Sequence, residues 1–192
     1  MRNYKQKVIR VFISLSLLIA CVFGPVLQAS AVNNINWLQY NNKTYQVKNW
    51  ATGHNLNMWV TDASYLYNGT PVTMYGCYLN DNTQWFKVQK YSLTYNSSNQ
   101  VTTAECAISS IYTNYALNIG YRVAGSTAVM YDRNLDLETW IIQSSGQNGS
   151  HNKIVLKSNP SLCLAENPYT QQVYLEPIGA SNCQDWNFIK ID

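Results

Sequence analysis

The sequence has little charge, few histidines and none of the motifs that identify common enzyme classes. Asp, Glu, Lys and Arg together make up 12% of the 192 residues, and there are two histidines, His54 and His151. Both histidines lie in polar stretches typical of solvated loops, "TGHNLN" and "NGSHNK". No H-E-x-x-H motif, G-x-S-x-G motif or glycine-rich phosphate loop is present. The sequence therefore predicts a protein that is not an enzyme and that uses no cofactor.

The sequence also lacks any C-x-x-C pair, which argues against a metal site built on cysteine. Beyond Cys21, near the N-terminus, four cysteines remain, and an even number in a secreted chain predicts two disulfides. Four cysteines allow three pairings. We favour Cys163–Cys183, which closes a loop of about 20 residues and contributes roughly 3 kcal/mol, and this leaves Cys77–Cys106 as the second.

Long apolar runs are missing except near the N-terminus. Four basic residues in the first ten are followed by "VFISLSLLIACVF", and Ala29 and Ala31 supply an A-x-A cleavage pattern. This arrangement predicts a signal peptide over residues 1–31 and a secreted protein. Leu18–Cys21 also fits a lipidation box, so anchoring through a lipid on Cys21 is the alternative, although apolar chain rather than a polar tether follows it. No later segment reaches the roughly 20 apolar residues of a transmembrane helix.

Cleavage at this point would change the charge of the protein. Residues 1–31 contain four of the thirteen Lys and Arg residues and none of the ten Asp and Glu residues, which leaves nine basic and ten acidic residues and a net charge of −1. The sequence pI of about 8.5 therefore comes largely from the leader. A near-neutral surface does not favour phosphate binding through counterion release, so we expect no nucleic-acid partner.

One pattern recurs three times in the rest of the chain. Each copy starts with Leu-x-apolar, continues through a turn and an alternating strand, and ends at a tryptophan. The copies cover residues 56–88, 117–142 and 162–189. In the first two copies a turn glycine precedes a tyrosine by six residues. The side chains that we expect in a shared core are those that open and close the copies: Leu56, Met58, Trp85, Leu117, Ile119, Trp140, Leu162, Leu164 and Trp186.

This repetition predicts the architecture. The strands are short, Gly, Asn, Asp and Pro separate them, and no helical period is sustained. Four strands in each unit of about 50 residues predict an all-β, pseudo-threefold fold of about twelve strands. The units are residues 43–95, 101–145 and 151–192, preceded by an N-terminal arm, 32–42. Closure by repetition would remove exposed sheet edges. A β-sandwich is the alternative all-β architecture, but it does not require a threefold repeat in the sequence.

Three copies of L-x-[LIM], each followed by a Q-x-W-like ending, resemble the ricin B-type β-trefoil lectin family over about residues 43–192. Gln184-Asp185-Trp186 is the only literal Q-x-W. Unit one has Thr83-Gln84-Trp85, with its glutamine displaced by one position, and unit two has Glu138-Thr139-Trp140. The resemblance implies a β-trefoil in which the glutamine braces a hairpin while the tryptophan packs in the core.

The resemblance also implies how a sugar would be bound. In the family an aspartate after the L-x-L strand and an asparagine near the tryptophan bond sugar hydroxyls, and an aromatic ring stacks on the apolar face of the sugar. Trp59, Gly120 and Ala165 replace the aspartate here, and Glu176 replaces the aromatic residue of unit three. The expected sugar-binding residues are, in unit one, Asp62 (as a substitute carboxylate), Thr73, Tyr75 and Asn82, and, in unit two, Tyr131, Asp132 and Asn134.

Two functions from different classes follow from these patterns. The first is a secreted, non-catalytic carbohydrate-binding protein that recognises glycans or glycoproteins of a cell surface, or a polymer. The second rests on Trp37, Trp50 and Trp59, an aromatic set of the kind that anchors protein interfaces. It would make the protein a docking or cell-binding subunit of a secreted toxin complex, similar to the binding subunits of cytolethal distending toxins.

Overall fold

A computed structural model of the protein describes residues 41–145 and 151–191. The predicted signal peptide, Cys21, Trp37 and most of the predicted arm lie outside these residues. None of the helices in the described part is long and apolar enough to cross a membrane.

Twelve β-strands and three short 3₁₀ turns make up the regular structure of the described residues. The strands are β1 (Lys43–Asn49), β2 (Asn55–Met58), β3 (Thr70–Tyr75), β4 (Phe86–Tyr95), β5 (Val101–Ser110), β6 (Tyr115–Ile119), β7 (Ala128–Asp132), β8 (Trp140–Ser144), β9 (Asn152–Leu156), β10 (Leu162–Glu166), β11 (Val173–Pro177) and β12 (Trp186–Lys190). The 3₁₀ turns are Ala63–Tyr65, Asn82–Gln84 and Asn182–Gln184. Each predicted unit thus contains four strands.

Six strands, the first and last of each unit, close into a barrel. Antiparallel pairing runs from β1 to β4, β4 to β5, β5 to β8, β8 to β9, β9 to β12 and back from β12 to β1. This closed ring has no free edge for another strand to pair with. The pairing confirms the prediction that repetition closes the sheet.

The other six strands form three hairpins that meet one another at one end of the barrel. Gly69, before β3, donates its N–H to Met130 O, and Gly125, before β7, donates to Leu175 O, at 3.0 and 2.7 Å. Both glycines have a φ of +87°, which a side chain would oppose. In unit three, Gln171, before β11, has a φ of 58°, and its carbonyl oxygen accepts from Met74 N at 2.8 Å. Each hairpin is thereby hydrogen-bonded to the next, and the fold is a β-trefoil.

The core confirms most of the predicted side chains and corrects one. Trp140 and Trp186 are fully buried, and their indole N–H groups donate to Leu117 O and Leu164 O, both at 3.1 Å. In unit one it is Phe86 that is fully buried, whereas Trp85 is half-buried and stacks on Tyr112 with ring centroids 6.4 Å apart. The prediction of Trp85 as a core residue is wrong, because β4 begins at Phe86 and directs that ring inward.

The same one-residue shift restores the brace of unit one. Gln84 is fully buried and donates to Gly76 O at 2.7 Å, while its Oε1 accepts from Tyr78 N at 3.2 Å. Gln184 makes the same pair of bonds, with Pro177 O and Gly179 N, both at 2.7 Å. Unit one therefore ends in Gln84-Trp85-Phe86, a Q-x-F in register with the Q-x-W of unit three. The displaced glutamine was a result of aligning on the wrong aromatic residue.

The predicted disulfides are not present in the structure, which has free thiols at Cys77, Cys106, Cys163 and Cys183. Cys106 lies in the middle of β5, paired on both sides, and is fully buried in the core, whereas Cys77 lies in an exposed loop. A core strand and a surface loop do not offer the close, facing Cβ atoms that a disulfide needs. Burial raises the pKa of Cys106 and raises that of Cys163 to about 12, which disfavours the reactive thiolate form of both.

Candidate functional site

Unit one carries a cleft with an aromatic rim and a polar floor, which we call the aromatic cleft. Its volume is about 530 Å³. It lies between the end of β2, the end of β3 and the 3₁₀ turn Asn82–Gln84. Its lining residues are Asn57, Trp59, Val60, Thr61, Tyr75, Asp81 and Thr83. The aromatic cleft therefore contains Tyr75 of the predicted sugar site together with Trp59, which was predicted to be part of an interface patch.

The rim presents flat apolar surface to solvent. Trp59 is 58% exposed and Tyr75 is 44% exposed. Tyr75 ends up outside because β3 alternates between buried and exposed residues, with Val72 and Met74 facing the core. The ring of Tyr75 lies 5.7 Å from that of Tyr78 at an angle of 34°.

The floor is a chain of three buried or half-buried polar side chains. Thr83 Oγ1 lies 2.7 Å from Asn57 Oδ1 and 2.5 Å from Asp81 Oδ1. Asp81 begins the 3₁₀ turn and also accepts from Thr83 N at 3.0 Å. Side-chain capping of this kind fixes the direction of the carboxylate. Oxygen acceptors and exposed aromatic rings thus line the same cleft.

A second, larger cleft adjoins the first, and we call it the loop cleft. Its volume is about 810 Å³. Its lining residues are Thr61, Asp62, Cys77, Tyr78, Leu79, Asn80, Asp81 and Asn82. Asp62 and Asn82, both predicted sugar ligands, meet here: Asn82 Nδ2 donates to Asp62 Oδ2 at 3.1 Å.

Asp62 also shapes the loop that carries it. Its Oδ1 accepts from the backbone N–H and the hydroxyl of Ser64, at 2.8 and 2.7 Å. Hydrogen bonds from the Ser64 side chain and backbone, and then from Asn82, hold the pKa of the Asp62 carboxyl below its ordinary value. Asp62 therefore caps a turn and stays ionised.

Thr73 does not belong to either cleft. It lies on β3 opposite Asn57, and its hydroxyl is buried without a hydrogen-bond partner among the described residues. A buried hydroxyl offers nothing to a sugar at the surface. Thr73 is therefore not part of the candidate site.

In unit two the predicted residues build a turn. Asp132 Oδ1 accepts from Asn134 N at 2.9 Å and from Asn114 Nδ2 at 2.8 Å. Tyr131 is half-buried on β7, unlike Tyr75 on β3. The structure thus brings Asp132 and Asn134 together, with the carboxylate already engaged by the turn itself.

Unit three fills the corresponding region with bonded side chains. Glu166, at the end of β10, is buried, and its carboxylate accepts from Thr52 Oγ1 and lies 2.6 Å from His54 Nδ1. Glu176 of β11 is also buried, and it accepts from Tyr174 OH at 2.9 Å and from Gln184 Nε2 at 2.7 Å.

The histidines are not the solvated loop residues that the sequence suggested. His54 is paired with Glu166, and its side chain is one-third exposed. His151 is buried, with Nδ1 3.2 Å from Asn187 Oδ1, and its ring centroid lies 3.7 Å from that of Trp50. These partners are far away in the sequence, so the polar residues next to each histidine gave no indication of them.

The two described tryptophans of the predicted interface patch lie in different surroundings. Trp50 is in the turn between β1 and β2 and packs on His151, whereas Trp59 follows the other end of β2 and lines the aromatic cleft. Trp37 lies outside the described residues. Among residues 41–145 and 151–191, no group of three or more His, Cys, Asp or Glu side chains is placed to hold a metal ion.

No known protein family and no curated protein matches the sequence. The structure does match solved structures. The Rhizoctonia solani agglutinin is similar over 79% of this chain and 96% of its own, with a TM-score of 0.60 and 16% identity. A ricin B-like lectin of Macrolepiota procera, solved with lactose, is similar over 78% of this chain and 96% of its own, with a TM-score of 0.59 and 16% identity.

A mosquitocidal holotoxin contains a similar region. It matches 79% of this chain but 17% of the toxin chain, with a TM-score of 0.59 and 18% identity. At these identities the likenesses show the fold, a β-trefoil of the kind found in ricin B-like lectins. This confirms the fold class that the threefold repeat predicted.

Sequence reasoning missed Asn57, Asp81 and Thr83 as members of the site. Accepting phenylalanine in the closing position would have placed Phe86, not Trp85, in register with Trp186. The site position expected three residues before the closing aromatic residue would then have been Thr83 instead of Asn82. Thr83 does form part of the floor of the aromatic cleft.

Proposed function

We propose that the protein is a secreted, non-catalytic carbohydrate-binding β-trefoil whose working site is the aromatic cleft of unit one. The observation that carries this proposal is the combination of exposed Trp59 and Tyr75 rings with the acceptors Asn57 and Asp81 in one cleft. A pyranose ring has an apolar face that stacks on such rings and hydroxyls that donate to such oxygens. The ligands would be glycans or glycoproteins of a cell surface, or a polysaccharide.

Unit three supports this choice by contrast. Its carboxylate Glu166 is buried and is engaged within the protein by His54 and Thr52. The lactose complex of the Macrolepiota procera lectin gives a precedent for sugar binding by this fold, as an analogy of fold alone.

The test is a glycan array probed with the purified protein and with Tyr75→Ala. Loss of a stacking ring at the centre of a small site costs about 2 kcal/mol or more, so we expect binding to fall by about 30-fold or beyond detection. Tyr169→Ala is the matched control, since Tyr169 is 95% exposed and lines neither cleft. Binding that Tyr75→Ala leaves intact would contradict the assignment of this site.

Secretion rests on the leader sequence and has its own test. N-terminal sequencing of protein recovered from the culture medium should begin at Val32. Recovery of the chain in the membrane fraction, with a lipid on Cys21, would support the anchored alternative.

A second candidate function is docking to a protein partner in a toxin complex. The trefoil region of the mosquitocidal holotoxin motivates it, as does Trp50, which is 57% exposed although it packs on His151. A blank glycan array, together with a partner captured by the native protein and not by Trp50→Ala, would favour docking over sugar binding.

A further inference from the structure

The two clefts of unit one form one groove. Thr61 and Asp81 line both the aromatic cleft and the loop cleft, so the space continues from Trp59 and Tyr75 past Asp81 to Asp62 and Tyr78. Two carboxylates and three aromatic rings therefore line one groove.

The charge of this groove is entirely negative. Among the described residues that line the groove, Asp62 and Asp81 are the only ones that ordinarily carry a charge at neutral pH. No Lys, Arg or His is among these lining residues. Several carboxylates elsewhere in the described residues are paired with cations, as in Lys153–Asp185 at 3.2 Å and Lys157–Glu105 at 2.7 Å. The bonding partners of Asp62 and Asp81 are amide and hydroxyl groups.

The floor of the groove also has fewer hydrogen-bond donors than its acceptors could use. Thr83 has one hydroxyl proton, yet its oxygen lies within hydrogen-bond distance of two acceptors, Asn57 Oδ1 and Asp81 Oδ1. The orientation of the Asn57 amide is set by its Nδ2, which donates to Met58 O at 3.2 Å. Asn57 is 5% exposed and Thr83 is 3% exposed. The one hydroxyl proton of Thr83 can be donated to only one of the two acceptors. Asp81 Oδ1 also accepts from Thr83 N at 3.0 Å, so Asn57 Oδ1 is the acceptor left without a donor when the hydroxyl bonds to Asp81, and an N–H group of a ligand would supply it.

The aromatic rings suit the same kind of ligand. A cation near the face of Trp or Tyr is attracted by the ring quadrupole. Trp59, Tyr75 and Tyr78 border the groove, and all three are more than two-fifths exposed. An acidic sugar would meet two carboxylates with no cation to offset them, which opposes its binding.

From the charge, the missing donor and the rings together, we propose that the groove selects oligosaccharides of hexosamine units with free, protonated amines over their N-acetylated or acidic counterparts. This inference rests on the proposed carbohydrate-binding function and adds the chemical class of the sugar. An ammonium group supplies three donors and a positive charge at once, whereas an acetamido group supplies one donor and no charge.

The experiment compares three probes of equal length by isothermal titration calorimetry: a β-1,4-linked glucosamine oligosaccharide, its fully N-acetylated form and a uronic acid oligosaccharide. A close charge pair near a protein surface predicts a preference of about tenfold or more for the free amine at low salt. The preference should shrink as the salt concentration rises. The acidic probe should bind most weakly.

Variants separate the contribution of charge from that of stacking. Asp81→Asn keeps the capping oxygen and removes the charge, so we expect the affinities for the amine and acetylated probes to converge. Asp132→Asn is the matched control, because Asp132 is likewise a turn-capping carboxylate but lies outside the groove. An oligolysine probe should bind far less well than the glucosamine oligosaccharide, since it lacks a pyranose face to stack.

The outcomes distinguish this inference from the function it rests on. Equal or tighter Tyr75-dependent binding of the N-acetylated probe overturns the amine selectivity and leaves the carbohydrate site standing. Oligolysine binding as tight as that of the glucosamine probe also overturns it, because charge alone would then suffice. If no sugar on a broad array or in the titrations binds in a Tyr75-dependent way, both the selectivity and the proposed function are wrong.

Discussion

Unit one and unit three brace their hairpins with the same glutamine, but they use their polar side chains differently. Gln84 and Gln184 make matching bonds to the backbone of their hairpins. In unit three, Glu166 is buried and bonded to His54 and Thr52, whereas in unit one Asp81 lines a cleft together with exposed rings. The brace specifies the fold, and the bonding of the nearby carboxylates decides whether a unit has a site to offer.

The largest expected effect tests the register that makes the two units comparable. Phe86→Ala removes a fully buried ring from the core, which costs about 3–5 kcal/mol of unfolding free energy. Trp85→Ala removes a half-buried ring that stacks on Tyr112 and should cost less than half as much. Urea unfolding of both variants provides the measurement. A larger loss for Trp85→Ala would show that the units align on the tryptophan after all.

The next largest effect concerns the hydrogen bonds that hold the buried Glu166 carboxylate of unit three. His54→Ala leaves the buried Glu166 carboxylate with Thr52 as its remaining described partner. Hydrogen bonds to charged groups contribute about 1.5–3 kcal/mol, so we expect the unfolding free energy to fall by about 2 kcal/mol.

Asn114→Ala is the control for that variant, because it removes a 2.8 Å bond to an exposed carboxylate, that of Asp132. Its cost should stay within about 0.5 kcal/mol. Equal losses for His54→Ala and Asn114→Ala would mean that burial of Glu166 does not strengthen its pairing.

Thiol reactivity sharpens the comparison without changing stability. Cys77 of unit one is exposed, whereas Cys163 of unit three is buried, and burial raises its pKa to about 12. A thiol reagent should modify Cys77 in the native protein and reach Cys163 and Cys106 after unfolding. Mapping the modified residues by mass spectrometry checks this. A Cys77 that reacts only after reduction would restore the disulfide prediction.

The smallest expected effect is the pH dependence contributed by Asp62. Because the folded-state pKa of this carboxyl is lowered, its charge stabilises the folded state above the ordinary aspartate pKa, and that contribution disappears as the pH falls through the lowered value. Asp62→Asn should therefore lower the urea midpoint slightly near neutral pH and leave it unchanged in strong acid. A difference that grows on acidification would contradict the direction of the shift.

The comparison also shows where sequence reasoning succeeded and where it stopped. The threefold repeat predicted the twelve strands, the closed sheet and the core positions of Trp140 and Trp186, because apolar alternation and turn residues are local signals. The search for tryptophan misplaced Trp85, since a core position asks for a large apolar ring rather than for one residue type. The sequence alone would have allowed Phe86, instead of Trp85, to be aligned with Trp140 and Trp186.

Other errors had no local signal that could have prevented them. The disulfides were inferred from an even number of cysteines, and nothing in that number places Cys106 inside a core strand. The hydroxyl of Thr73 is buried, although Thr73 lies on the same face of β3 as the exposed residues Pro71 and Tyr75.

The sequence by itself determined the all-β class and the brace at Gln184, because both depend on residues a few positions apart, and it determined the three units, because one pattern recurs along the chain. Only the tertiary structure decided which polar side chains remain open to a ligand. His54 reaches Glu166 across 112 positions of sequence, and Asn57 reaches Thr83 across 26. A carboxylate is available or engaged according to the donors that surround it in space, and in a closed, threefold fold those donors come from distant strands.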